Sequence, residues 1–272
     1  MPKPPGETLC ISIAARPGKF GTALFTAAFA KMKMNWRYEA RKVLPAGLAR
    51  AVARLRTEKI RGSGVTMPHK AKVIALLDSV DRAAKKIGAV NTIVNSGGKL
   101  RGYNTDCIGA KKAISERMNM KGKTALLIGT GGAASAIAYA LHSLGVKKIF
   151  VADRKKKKAV SFCKKFNATP ISLQHAQSFH ADLLINATPV GMKPDENGII
   201  LPPQSLCNFS AVMDVVISPI NTRLMRTAAK MGRKTIPGYR MALYQAAAQF
   251  ELYTKKKAPV ATMERAMKKL LK

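Results

Sequence analysis

The chain holds 272 residues, 47% of them hydrophobic, and carries 48 Lys and Arg against 14 Asp and Glu, a formal net charge of +34. That length can bury a sizeable core and, at about 150 residues per domain, suggests two domains; no uncharged apolar run reaches the ~18 residues of a membrane span. The positive excess is even, with 23 basic and 7 acidic residues in 1–120 and 25 and 7 in 121–272, whereas a nucleic-acid face concentrates it.

The basicity therefore reads as a chain-wide bias with non-specific polyanion binding as a side effect, not as a specific nucleic-acid partner. Met1–Thr8 is Pro-rich and polar, without the apolar stretch of a signal peptide. Cys10, Cys107, Cys163 and Cys207 lie far apart with no C-x-x-C pair, so neither a disulfide framework nor a metal site is expected, and a reducing cytoplasm fits.

In chain order, Leu9–Ala14 reads as a buried strand, Arg16–Gly21 as a loop, Thr22–Met32 as a helix and Trp36–Ala40 as an alternating strand. Ala46–Arg56 is a basic amphipathic helix, Ile60–Met67 strand and loop, and Lys70–Asp78 a helix. Val90–Tyr103 reads as two short strands joined at Ser96-Gly97-Gly98. A helix over Lys111–Asn119 leads to strands near 124–128, 148–152, 182–186 and 211–216, with helices near 132–144, 155–166 and 222–231. Helices over Arg240–Thr254 and Val260–Leu271 close the chain. This alternation predicts an α/β fold of two domains: residues 1–110, completed by helices in 239–272, and a Rossmann-type domain over 111–238.

The most informative stretch is Ile128-Gly129-Thr130-Gly131-Gly132-Ala133-Ala134, between an apolar strand and an Ala-rich helix. Gly129 suits a tight turn, Gly131 lets backbone N–H groups approach a pyrophosphate, and small Ala134 lets helix and strand pack closely. The helix N-terminus then favours the anion. Asp153 ends the next strand about 20 residues on, where a dinucleotide fold reads the adenosine ribose.

Further strings carry polar groups at element ends: Val65-Thr66-Met67-Pro68-His69-Lys70, Gly88-Ala89-Val90-Asn91-Thr92, Tyr103-Asn104-Thr105-Asp106, Asn186-Ala187-Thr188-Pro189-Val190-Gly191-Met192, Asp214-Val215-Val216 through Pro219, and Gly238 through Met241 to Gln245. In order and spacing they resemble the shikimate dehydrogenase family over nearly the whole chain. The resemblance implies two α/β domains with a cleft between them. It implies reversible, NADP-dependent reduction of 3-dehydroshikimate to shikimate in the chorismate pathway.

Hydride transfer to a carbonyl needs a group that moves the hydroxyl proton. The resemblance gives that part to Lys70, at the mouth of a helix, with Asp106 at a strand end orienting the amine and the reacting hydroxyl. It implies substrate binding by Thr66, Asn91, Asp106 and Gln245. Cofactor binding falls to Gly129, Thr130, Gly131, Gly132, Ala133, Asp153, Arg154, Lys155, Lys158, Thr188, Val215, Gly238 and Met241. His69 reads as a loop histidine, and no nucleophile triad is apparent.

Four positions depart from the family pattern. The first loop usually carries Ser-x-Ser to hold the substrate carboxylate, and Lys19 and Gly21 stand there; Gly64 replaces an asparagine and Ile217 a tyrosine. These changes resemble the divergent shikimate-dehydrogenase-like branch, with Lys19 or Arg16 pairing the carboxylate instead. Asp153 favours the free 2′-hydroxyl of NAD, whereas Arg154, Lys155 and Lys158 favour the phosphate of NADP, so NADP is expected with NAD as the alternative. Alternative functions are oxidation of quinate or another hydroxylated cyclic acid and, in a different class, polyanion binding on a dinucleotide scaffold. The expected partner is a small molecule, acted on by a monomer or homodimer.

Overall fold

A computed structural model describes residues 6–271; the reading of the Pro-rich segment at Met1–Pro5 lies outside the described residues. The chain divides into two compact units, one of residues up to Thr105 with Gln245–Leu270, the other of Asp106–Tyr244.

The first unit runs β1 (Thr8–Ala14), α1 (Phe20–Lys31), β2 (Trp36–Lys42), α2 (Leu48–Thr57), β3 (Gly62–Val65), β4 (Ser79–Val80), α3 (Arg82–Ile87), β5 (Thr92–Ser96) and β6 (Lys99–Tyr103). Its sheet has the order β2-β1-β3-β5-β6-β4. β1 pairs in parallel with β2 and β3, and β5 runs antiparallel to β3 and β6. The apolar residues of β1 bury on both faces, as a parallel central strand requires. Gly97 and Gly98, at φ 60° and 88°, make the two-residue turn between β5 and β6.

The expected helix over Lys70–Asp78 is instead a turn through Lys70 and Ala71 and a short 3-10 helix at Lys72–Leu76. It stops because the Asp78 carboxylate accepts the Leu100 N–H at 2.6 Å and Ser79–Val80 pair with β6. Lys70 therefore stands in a turn rather than at a helix mouth. α3 was not anticipated, although Asp81 caps it by accepting from Ala84 and Ala83 N–H and Gly88 ends it at φ 74°. α1 begins at Phe20, so Gly21 lies in its first turn and not in the preceding loop.

The second unit runs α4 (Thr105–Ser115), β7 (Thr124–Ile128), α5 (Gly132–Ser143), β8 (Lys148–Ala152), α6 (Lys156–Phe166), β9 (Thr169–Pro170), α7 (Leu173–Ala176), β10 (Ala181–Asn186), β11 (Phe209–Asp214), α8 (Arg223–Lys230) and β12 (Lys234–Ile236), then α9 (Gly238–Thr254); α10 (Val260–Leu271) follows. Thr105 and the part of α9 from Gln245 onward are grouped with the first unit. The sheet β12-β11-β10-β7-β8-β9 is parallel throughout. Numbered within the unit and read from the other edge, that order is 3-2-1-4-5-6, the doubly wound arrangement.

The helix expected at Lys111–Asn119 begins six residues earlier. The Asn91 side chain caps its first N–H, at Thr105, at 2.7 Å. The buried stripe Cys107, Ala110, Ala113, Ile114 has helical spacing. Asp106 is thus in the first turn of α4, not at a strand end. β9 and β12, of two and three residues, are too short to leave a periodic signature.

Candidate active site

In the second unit the strand order reverses between β7 and β10, where the crevice of a doubly wound sheet opens. Gly129, just beyond β7, adopts φ +105°, and a Cβ there would stand 2.8 Å from Thr188 Cγ2 and 3.0 Å from the Ala187 carbonyl oxygen. Only glycine lets the loops after β7 and β10 approach so closely. At Gly131 and Gly132 the opposite holds, with no atom within 4 Å of an added Cβ. Gly131 is the N-cap of α5 with no side-chain cap, so the first N–H groups of the helix face open space, with Ala133 half-buried and Ala134 wholly buried against the sheet. That geometry fits a pyrophosphate.

Asp153 follows β8, but its carboxylate is turned onto its own loops. Thr130 Oγ1 donates to Oδ2 at 2.7 Å and the Lys155 N–H to Oδ1 at 2.9 Å. Burial works against the charged form, yet those two donors and nearby Lys158 outweigh it and hold the carboxyl below the ordinary carboxylate range. Arg154, Lys155 and Lys158 are exposed around it. The pattern is a braced turn ringed by cations, which suits a ribose phosphate better than a bare hydroxyl.

Beyond β10 and β11 a buried network fixes the remaining loops. Asn186 Oδ1 accepts from the Thr188 N–H at 3.0 Å and from its hydroxyl at 2.6 Å, while Asn186 Nδ2 donates to the Val190 carbonyl and to Asp214 Oδ1. Asp214 also accepts from the Val216 N–H and the Thr222 hydroxyl. Burial pushes its carboxyl up to about 6 against the pull of those donors. Val215 lies between them, and Gly238 is a contact point: a Cβ there would stand 2.5 Å from the Val216 carbonyl oxygen. Met241 is buried one turn further along α9. Asn186 and Asp214 were quoted in motifs but given no role; their position at the ends of two adjacent parallel strands was the available signal.

In the first unit a second polar cluster forms at the ends of β3, β5 and β6. Asn91 is buried, and its Oδ1 accepts from the Thr105 N–H at 2.7 Å, the Thr105 hydroxyl at 3.1 Å and the Thr92 hydroxyl at 2.8 Å. The oxygen end is fully engaged, and the amide N–H end donates to Gln245 Oε1 over a long 3.4 Å. Gln249, one helical turn beyond Gln245, donates to the Asn91 carbonyl at 3.1 Å and the Thr92 hydroxyl at 2.9 Å. Sequence reasoning missed Gln249, Thr92 and Thr105, all of which brace Asn91; the i, i+4 spacing of the two glutamines is the one trace they leave.

Thr66 is exposed just past β3, its carbonyl accepting the His69 N–H at 2.9 Å. Lys70 is half-buried, and its carbonyl accepts the Val90 N–H at 2.7 Å, tying the turn to the residue before Asn91. His69 is wholly buried with Nε2 on the Val43 carbonyl at 2.8 Å, a structural anchor for that turn. Lys19 is the exposed N-cap residue of α1. Asp106, half-buried, belongs to the second unit.

The 3-2-1-4-5-6 sheet with its glycine turn defines the second unit as a dinucleotide-binding α/β module, in a chain whose other unit presents an amide-rich cluster. Family models agree: the shikimate dehydrogenase substrate binding domain matches residues 20–93, shikimate/quinate 5-dehydrogenase matches 110–191, and the shikimate 5′-dehydrogenase C-terminal domain matches 238–268. The chain is 38% identical over 263 residues, 92% of its length and 90% of the relative's, to the shikimate dehydrogenase (NADP(+)) of Desulforamulus reducens. A solved shikimate 5-dehydrogenase-like protein matches with a TM-score of 0.91 at 32% identity, over 97% of both chains. The shikimate 5-dehydrogenase of Thermus thermophilus, solved with NADP(H) and shikimate, matches at 0.88 and 30%, over 96% of this chain and 99% of that one. The chain belongs to the shikimate dehydrogenase family.

Proposed function

We propose that the chain is an NADP-dependent oxidoreductase that interconverts 3-dehydroshikimate and shikimate. The observation that carries this is the pairing, in one member of the family, of an open glycine turn with cations around a braced Asp153 and a separate cluster whose Asn91 amide is oriented by Thr92, Thr105 and Gln249. When bound, the nicotinamide supplies the hydride to the substrate carbonyl carbon or takes it back. Lys70 gives the proton to the carbonyl oxygen in reduction and takes it from the hydroxyl in oxidation. Asp106 orients the reacting oxygen. Asn91 and Gln245 hold ring hydroxyls, the long bond between them being the one a hydroxyl can replace, and Thr66 adds a third contact.

Gly129, Thr130, Gly131, Gly132 and Ala133 receive the pyrophosphate, Arg154, Lys155 and Lys158 the ribose phosphate. Thr188, Val215, Gly238 and Met241 line the nicotinamide end. The partner is a small molecule, and we place the enzyme in the cytoplasm as a monomer or homodimer, a setting consistent with three buried thiols, Cys10, Cys107 and Cys163.

Oxidation of NADPH and of NADH with 3-dehydroshikimate tests the reading. NADPH is expected to be preferred at least tenfold in kcat/KM, and Lys70→Ala to lower kcat by about 10³, within the range of a lost acid–base group. Unchanged turnover in Lys70→Ala removes Lys70 from the chemistry; no turnover of 3-dehydroshikimate by the wild type removes the function. Lys19, Gly21 and Gly64 favour a second reading, in which quinate or another hydroxylated cyclic acid is the substrate, and relative kcat/KM on shikimate and quinate decides between them.

A further inference from the structure

Two of the departures at the substrate end, Gly21 and Gly64, trace to one neighbour. Tyr38, carried in by β2, is 5% exposed, and its ring stacks on Phe25 with centroids 4.4 Å apart and planes 11° from parallel. Phe25 is itself held by Phe29, Phe250 and Tyr253, so the phenol has no room to swing. A Cβ on Gly21 would stand 2.9 Å from Tyr38 Cε1 and 3.1 Å from its oxygen. A Cβ on Gly64 would stand 3.1 Å from that same oxygen, 3.4 Å from Ser12 Cβ and 3.7 Å from Gln249 Nε2. The Ser12 side chain hydrogen-bonds the phenol, and Gln249 braces Asn91. One phenol, by its ring edge at Gly21 and its oxygen at Gly64, thus fills the space of two absent side chains and adjoins the amide cluster.

We infer that Tyr38 is a specificity-determining positioning residue: by occupying the side-chain volume at 21 and 64 it excludes a polar side chain from each, the first of them at the family position that meets the substrate carboxylate, and relaxes discrimination between ring acids that differ beside that group. This rests on the function proposed above. Shikimate and quinate differ at that carbon, where quinate carries an additional hydroxyl, so the wild type accepts both with kcat/KM values within about tenfold. Directional donors at 21 and 64 restore discrimination, because a hydrogen bond to a charged group is worth about tenfold or more.

The packing and the specificity are tested separately. Melting of ligand-free protein is expected to fall in Gly64→Ala and to recover when Tyr38→Phe is added, since only the phenol oxygen opposes that Cβ. Gly21→Ala, which meets the ring edge, is expected to recover with Tyr38→Leu and not with Tyr38→Phe. In Tyr38→Leu/Gly21→Ser/Gly64→Asn the ratio of KM values is expected to shift at least tenfold toward shikimate with kcat within about threefold, a split that a merely structural Tyr38 does not produce. Should this triple variant not fold, Tyr38→Phe/Gly64→Ser needs only the hydroxyl's space and is expected to shift the ratio in the same direction. A folded variant with an unchanged ratio, or a Gly64→Ala that melts like the wild type, overturns the inference. If the wild type turns over neither acid, the function fails, and the ratio is read from the melting shifts the two acids induce.

Discussion

Glycine serves opposite ends at Gly131 and Gly132 of the second unit and at Gly62 and Gly64 of the first. At Gly131 and Gly132, in the second unit, an added Cβ meets nothing within 4 Å, and the missing side chains leave an approach for something from outside. At Gly62 and Gly64, in the first unit, the missing side chains are already replaced by protein: a Cβ on Gly62 would lie 2.2 Å from the Tyr253 ring, and one on Gly64 would meet Tyr38. At Gly131 and Gly132 the space is left open, which suits the pyrophosphate proposed there; at Gly62 and Gly64 an aromatic neighbour has taken the room. The buried polar clusters of the two units differ too. In the first unit Asn91 is braced by neutral hydroxyls and amides, whereas in the second Asn186 is joined to a buried carboxylate, Asp214.

The largest effects come from filling the two kinds of glycine. Gly62→Ala is expected to cost about 3 kcal/mol, at the upper end of overpacking, read as a lower urea midpoint. Gly131→Ala is expected to cost less than about 1 kcal/mol and to weaken NADP binding tenfold or more, read by fluorescence titration. Equal stability losses at both sites break the contrast.

Asp214 gives the second unit a pH dependence. Its carboxyl ordinarily titrates at 3.8 and burial raises it to about 6, so folding favours the protonated form. The contribution is fully present below about 4 and is lost as the pH rises through 6, a span of about 3 kcal/mol. Asp214→Asn keeps the shape and does not titrate, so the difference in stability between wild type and variant is expected to change by about that amount from pH 4 to pH 7. A flat difference means the carboxylate is not strained by burial.

A smaller effect tests the cation ring at Asp153. Arg154→Ala is expected to raise the KM for NADPH about five- to tenfold and to leave NADH nearly unchanged. Equal losses for both cofactors place Arg154 away from the 2′ position.

The glycine turn, strands β7, β8, β10 and β11 and the hairpin of β5 and β6 were legible because each rests on local signals, an apolar run or a turn dipeptide. The 3-10 segment after Lys70 was misread as a helix because Val73, Ile74, Leu76 and Leu77 mimic helical spacing. What breaks it is the Leu100 N–H on Asp78, 22 residues away. The start of α4 was placed late for the same kind of reason: its cap comes from Asn91, 14 residues upstream. Thr92, Thr105 and Asp214 stand in the sequence motifs without a bracing role, and Gln249 outside them, because nothing local distinguishes a polar residue that supports another.

By itself the sequence determined the α/β class, the Rossmann-type unit, the family and the residues proposed for chemistry, since these rest on residue type at short, ordered spacings. Only tertiary structure decided which glycines are open and which are filled, that Asp153 is bound by Thr130 of the glycine turn, and that Tyr38 lies behind Gly21 and Gly64. Those are facts of close approach between segments far apart in the chain, and close approach depends on the packing of a whole unit rather than on any stretch within it.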